Sequence, residues 1–102
     1  MSEPRRGWTV YCVEDAANTL EAMRLSGKVE LHDRVVQFLQ ALAVEAGAAV
    51  DAEKELPGLP MGDERYNVDM PGVPVLISYS RYPGLREFRV TDVIWLDIGD
   101  DQ

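Results

Sequence analysis

The chain has 102 residues, 46% of them hydrophobic and 27% charged, with 10 Lys and Arg against 18 Asp and Glu and a formal net charge of −8. That length suits one domain, 1–102, with one core, and no apolar run approaches the roughly 20 residues of a bilayer-spanning helix. Nucleic-acid affinity comes largely from cations that displace counterions, so an acidic chain disfavours general nucleic-acid binding unless a local basic patch overrides the average.

The opening "MSEPRRGW" carries basic residues with no apolar stretch after them, so it does not read as a signal peptide. A cytoplasmic location is expected, and the single Cys12 fits a reducing compartment. Residues 1–7 and 97–102 read as disordered tails. "WTVYCV", 8–13, is rich in β-branched and aromatic residues and predicts a strand. Residues 14–25 follow as a helix, with Ala16, Leu20 and Met23 at helical spacing and Asp15 as its N-cap. Ser26-Gly27 breaks that pattern. Residues 28–47 are the clearest helix. His32, Val36, Leu39, Ala43 and Ala46 form one stripe, widened by Val35, Phe38 and Leu42. Gly47 fits its C-terminal cap, although the pattern can continue through "AAVDAEKEL".

"LPGLPMGDE", 56–64, holds two prolines and two glycines and predicts a loop. "RYNVDM", 65–70, reads as a short strand and Pro71-Gly72 as a turn. Strands 73–82 and 85–96 follow, joined by Pro83-Gly84 as the centre of a type II turn. Pro74 cannot donate to a ladder and belongs at its strand's start. The order β-α-α-β-β-β predicts an α+β fold, a two-helix hairpin packed on one face of a largely antiparallel four-stranded sheet.

Little in this sequence points to chemistry. Zinc needs several clustered Cys, His or carboxylate ligands, and one Cys with one His supply too few. "DIGDD" lacks calcium-loop spacing, and neither GxGxxG nor a P-loop is present. No metal or cofactor is expected. Cys12 reads as a small buried hydrophobe, with a Cys12–His32 dyad as the functional alternative. His32, on an apolar stripe, reads as structural. Ser78 and Ser80 lie in flat sheet and read as solvent-facing. The hairpin is more informative. With Pro83-Gly84 at the centre of the turn, Arg81 faces Arg86 and Ser78 faces Arg89. Like charges directly opposite are unfavourable in a plain sheet, so the arginines form either an anion- or partner-binding patch or splayed, solvated side chains paired with Glu87 or Asp92. Asp92 also interrupts the apolar alternation of Phe88, Val90, Ile94 and Leu96, which implies a bulge or a buried, partnered carboxylate. Both faces turn apolar towards Trp95, so that strand end is covered or lies in an interface. Arg81, Arg86, Arg89 and Trp95 are the partner-binding candidates.

A first strand, an αα-hairpin, a loop containing "LPG" and then three antiparallel strands, spanning about residues 8–96, resembles the RelE/ParE toxin superfamily, including its YoeB-like branch. The resemblance is architectural. It implies a member of a bacterial toxin–antitoxin system: RelE- and YoeB-type proteins cleave mRNA on the ribosome, while ParE-type proteins share the fold and act on DNA gyrase. Arg65 and Tyr66 match the usual basic or aromatic start of the second strand. The Arg that opens the third strand in the nucleases falls near Val75 here, and the His/Arg/Tyr-type cluster ending their last strand reads "VIWL". Without a cationic and acid–base set, little orients a 2′-hydroxyl or stabilises a developing phosphorane. The expected function is therefore a toxin-fold protein that binds a protein partner, leaning away from an enzyme. One alternative is a divergent ribosome-dependent mRNA endoribonuclease using Arg65, Tyr66, Arg81 and Arg89. The other is an acidic immunity or antitoxin-like protein that neutralises a basic partner.

Overall fold

The computed structural model describes residues 8–95, so the expected tails 1–7 and 97–102 lie outside the described residues. The elements run β1 (Thr9–Cys12), α1 (Glu14–Leu25), α2 (Val29–Asp51), β2 (Leu59–Gly62), β3 (Arg65–Asp69), β4 (Val75–Tyr82) and β5 (Glu87–Trp95). The fold is α+β, with two helices and a five-stranded mixed sheet in the order β1-β5-β4-β3-β2. Two details differ from the four-stranded antiparallel expectation. β1 joins β5 in parallel, and a further strand, β2, forms inside the segment read as a loop. Pro60 and Gly62 hide that strand from its sequence. Both are tolerated because β2 is an edge strand, paired only with β3 and carrying a register shift between Pro60 and Gly62. Asp63 and Glu64 turn the chain back with φ of 53° and 64°, two consecutive left-handed residues of the kind a tight hairpin requires.

Local signals explain both helices and correct their ends. Val13, not Asp15, occupies the N-cap of α1. Glu14 and Asp15 sit in its first turn and Arg24 in its last, as the helix dipole favours. α1 stops where Gly27 turns left-handed at φ 88°. There the Gly27 amide donates to the Arg24 carbonyl and the Lys28 amide to the Met23 carbonyl, a Schellman ending. α2 runs past Gly47 to Asp51 and closes the same way: the Glu53 amide donates to Val50 and the Lys54 amide to Ala49. Glu53, at φ 59°, takes the position a glycine usually fills.

Gly47 is a packing notch and not a cap. A Cβ there would stand 2.8 Å from Trp8 Cδ1 and 2.9 Å from Trp8 Cβ and Cγ. Trp8 lies over this notch and stacks on Phe88 at 4.6 Å between centroids. Phe88 meets Tyr79 edge-on at 5.8 Å, and Tyr79 stacks on Tyr66 at 5.5 Å. This line of rings crosses β3, β4 and β5 beneath the helices, whose Met23, Val35, Leu39, Leu42 and Ala46 complete the core. The fully buried Tyr79 donates its hydroxyl to the Pro57 carbonyl at 2.6 Å, which ties the segment before β2 to the core.

Pro83 and Gly84 do not form a two-residue type II turn. Pro83–Leu85 is a 3-10 turn followed by Arg86 at φ 50°. The register moves accordingly: Arg81 lies opposite Phe88, Tyr82 opposite Glu87, Ser80 opposite Arg89 and Ser78 opposite Asp92. The predicted facing pairs Arg81–Arg86 and Ser78–Arg89 are therefore absent. Between Ser78 and Tyr79 the register slips, because Tyr79 is opposite Val90 and Thr91 is the extra residue. The slip resolves the Asp92 problem in favour of a bulge. Phe88 and Val90 face the core before it, and Val93 faces the core after it, at 0%, 0% and 4% exposure. Asp92 and Ile94 are turned to the opposite face, where both are exposed.

Candidate functional site: the uncovered face of the sheet

Side chains alternate across a sheet with period two. With Val75, Ile77, Tyr79, Phe88, Val90 and Val93 in the core, the register assigns the other face to Thr9 and Tyr11 of β1, Glu87, Arg89, Asp92 and Ile94 of β5, Leu76, Ser78, Ser80 and Tyr82 of β4, and Arg65, Asn67 and Asp69 of β3. The helices do not cover this face.

Its end nearest the β4–β5 turn is built around Arg89. The guanidinium sits 4.3 Å from the Tyr82 ring centroid and 6.0 Å from that of Tyr11. Its Nε donates to Glu87 Oε2 at 3.2 Å. Parallel pairing with β1 supplies Tyr11 directly opposite Arg89, and the 3-10 turn places Tyr82 opposite Glu87. Tyr11 and Tyr82 remain 56% and 39% exposed. The middle of the face is polar. Ser78 donates to Asn67 Oδ1 at 2.6 Å across β3–β4, and Thr91 donates to the Ser78 carbonyl at 3.3 Å. Ser80, expected at the solvent, is buried between the flanking Arg65 and Arg89 positions. The far end turns apolar with Leu76 and Ile94, which are register partners.

The residues predicted from sequence separate across the two faces. Arg65 and Arg89 share the uncovered face, two strands apart in the row through Ser80. Tyr66 points the other way and stacks on Tyr79. Arg81 falls on the helix side at the end of β4, where its Nε donates to Glu64 Oε1 at 2.7 Å and its amide to the Glu64 carbonyl at 2.9 Å. Arg86 leans over the Trp8 ring at 5.2 Å and donates to both carboxylate oxygens of Asp51, at 3.1 and 3.4 Å. It therefore clasps the end of α2 to the β4–β5 turn. Trp95 packs against the core on the helix side. The four partner-binding candidates are thus not one patch: Arg89 faces outward, and Arg81, Arg86 and Trp95 belong to structural contacts on the other side.

The Cys12–His32 pairing has no geometric basis. Cys12 ends β1 just before α1, and His32 lies beyond α1 in the first turn of α2. His32 instead lies within 3.1 Å of Asp33 Oδ1 through Nδ1. Burial pushes the Cys12 thiol above its ordinary value, which keeps it protonated and a poor nucleophile at neutral pH. Among the described residues, no three His, Cys, Asp or Glu side chains gather as metal ligands. No helix there is long and apolar enough to cross a membrane.

No family model, curated protein or solved structure matches this chain.

Sequence reasoning missed Tyr11, Tyr82, Leu76 and Asn67. Tyr11 could have been found from strand parity, since it alternates with the core-facing Val10 and Cys12. Tyr82 and Leu76 required the true turn and the bulge.

Proposed function

We propose that this chain is a relative of the RelE/ParE-type toxin scaffold that works by binding a protein partner through the uncovered face of its sheet. One observation carries the reading: that face gathers exposed Tyr11 and Tyr82 around an arginine whose charge is already met by Glu87, and leaves Ile94 exposed at its far end. Tyrosine and arginine are the residues that protein interfaces concentrate. A guanidinium held by a carboxylate and two rings presents a preorganised surface with little left to order on binding. The same arrangement is a poor phosphoryl-transfer centre, because the cation is compensated and the lone His32 is on the helix layer, behind the sheet.

Two assays test the reading. The purified chain is expected to hold the product of the reading frame adjacent to its gene, and to lose it in Arg89→Ala and in the Tyr11→Ala/Tyr82→Ala double variant. It is also expected to leave ribosome-bound mRNA intact. The divergent-endoribonuclease reading draws on Arg65 and Arg89 flanking Ser80 in one row. Cleavage by the wild type that disappears in Arg65→Ala or Arg89→Ala would establish that reading in place of simple binding. The acidic-neutraliser reading draws on the net charge of −8. It expects a basic partner released by salt, and a complex indifferent to salt eliminates it.

A further inference from the structure

At the end of the uncovered face away from the β4–β5 turn, Asp69, Val73, Pro74, Val75, Leu76 and Ile94 line a groove of about 330 Å³. Its floor is apolar. Leu76 and Ile94 lie opposite each other near the ends of β4 and β5, and Ile94 keeps 49% of its surface exposed. Its rim is acidic. Asp69 lines the groove as the register partner of Leu76 on β3; Asp92 stands just beyond the lining residues, two before Ile94 on the same face, and both carboxylates are exposed. The arginines of β3, β4 and β5 collect at the opposite end, around the β2–β3 and β4–β5 turns: Arg65, Arg81 and Arg89, with Arg86 in the turn itself. Arg34 of α2 comes near the groove end from the helix layer, its Nη2 3.7 Å from where a Cβ on Gly72 would stand.

An apolar floor with two exposed carboxylates at its edge selects its occupant by charge. An acidic segment is repelled, and a purely apolar one desolvates the carboxylates without pairing them. The geometry points to a basic, amphipathic peptide segment of a protein partner in this groove: an aliphatic or aromatic side chain seated over Leu76 and Ile94, with Lys or Arg on its flanks paired to Asp69 and Asp92. The inference rests on the protein-binding reading and names the chemistry of the partner. The apolar anchor supplies affinity from a buried central contact, and the rim charges supply orientation and association rate.

The test is selection of a phage-displayed random dodecapeptide library on the immobilised full-length chain, followed by fluorescence anisotropy with the recovered peptides. Recovered sequences are expected to place an aliphatic or aromatic residue between Lys or Arg. They are expected to bind at least about tenfold more weakly to Ile94→Asp and to Asp69→Lys/Asp92→Lys. Gln40→Ala, exposed on α2 and away from the uncovered face, is expected to bind them as the wild type does. Circular dichroism of each variant establishes that its fold is intact, and the exposed Asp69→Lys alone serves if Ile94→Asp does not fold. Three results would each overturn the groove: a selection yielding no saturable binder, recovered peptides that are acidic or apolar without basic residues, or affinities unchanged by both sets of groove substitutions. Failure here is separable from failure of the wider reading. If the adjacent-frame product is retained by the groove variants and lost in Arg89→Ala, the groove is wrong and protein binding stands.

Discussion

Gly47→Ala offers a sharp test of the packing, because two known effects oppose each other at one atom. An alanine inside a long helix is favoured over glycine by about 0.8–1.0 kcal/mol, and Gly47 has four helical residues after it before α2 ends at Asp51. The added Cβ, however, would stand 2.8–2.9 Å from three atoms of Trp8. Relief requires Trp8 to move, and Trp8 is held by its stack on Phe88 at 4.6 Å and by Arg86 over its ring at 5.2 Å. Overpacking of this kind costs about 1–3 kcal/mol. The net expectation is a destabilisation of about 1 kcal/mol in urea unfolding followed by circular dichroism. Removing the obstacle reverses the sign: in a Trp8→Ala background, Gly47→Ala is expected to stabilise by roughly 0.5–1 kcal/mol, the propensity gain alone. A chain in which Gly47→Ala stabilises equally with and without Trp8 would refute the notch. So would equal destabilisation in both backgrounds, which would place the obstacle elsewhere.

Further expectations concern the turns and the core tyrosine. Gly58→Ala is expected to destabilise by more than about 2 kcal/mol, since φ is +97° and a Cβ would run into the Asn67 carbonyl oxygen. Gly84→Ala, where a Cβ meets nothing within 4 Å, is expected to change the unfolding midpoint little. Glu53→Gly is expected to stabilise by about 1 kcal/mol, by relieving a left-handed residue at a Schellman ending. Burial holds the Tyr79 hydroxyl well above the ordinary tyrosine value of 10.0. The folded state therefore keeps a proton that the unfolded state gives up, and stability is expected to be full below pH 10 and to fall above it. Tyr79→Phe removes that alkaline slope and, by leaving the Pro57 carbonyl without its donor, costs about 1–2 kcal/mol at neutral pH. A slope unchanged in Tyr79→Phe would assign it to another group.

The candidate site was legible only in part. Arg89 stood out together with Arg81 and Arg86 as a basic residue of the hairpin, and the apolar end of β5 was visible in Val93, Ile94 and Trp95. Which of these faces outward was not visible, because one extra residue at Thr91 reverses the parity of everything after it. Arg81 and Arg86 looked like neighbours of Arg89 in a turn of assumed geometry. The 3-10 turn adds residues to the loop and sends each to its own carboxylate, Glu64 and Asp51.

The sequence by itself determined the helices and the later strands, since apolar periodicity, β-branched content and the Ser26-Gly27 and Pro71-Gly72 breaks are local signals acting over a few residues. The span of α1 was legible although its N-cap is Val13 and not Asp15, and β3 was legible to within a residue. Tertiary structure decided what local signals cannot encode. β2 is a strand only because β3 offers it an edge, and its prolines and glycines would otherwise make it loop. Gly47 sits inside α2 because Trp8, thirty-nine positions earlier, needs the space. β1 lies parallel to β5 because the αα-hairpin returns the chain across one face, which places Tyr11 opposite Arg89. The bulge at Thr91 turns Asp92 out of the core and brings Ile94 beside Leu76. The uncovered face and its groove follow from that pairing register, a property of strands distant in sequence.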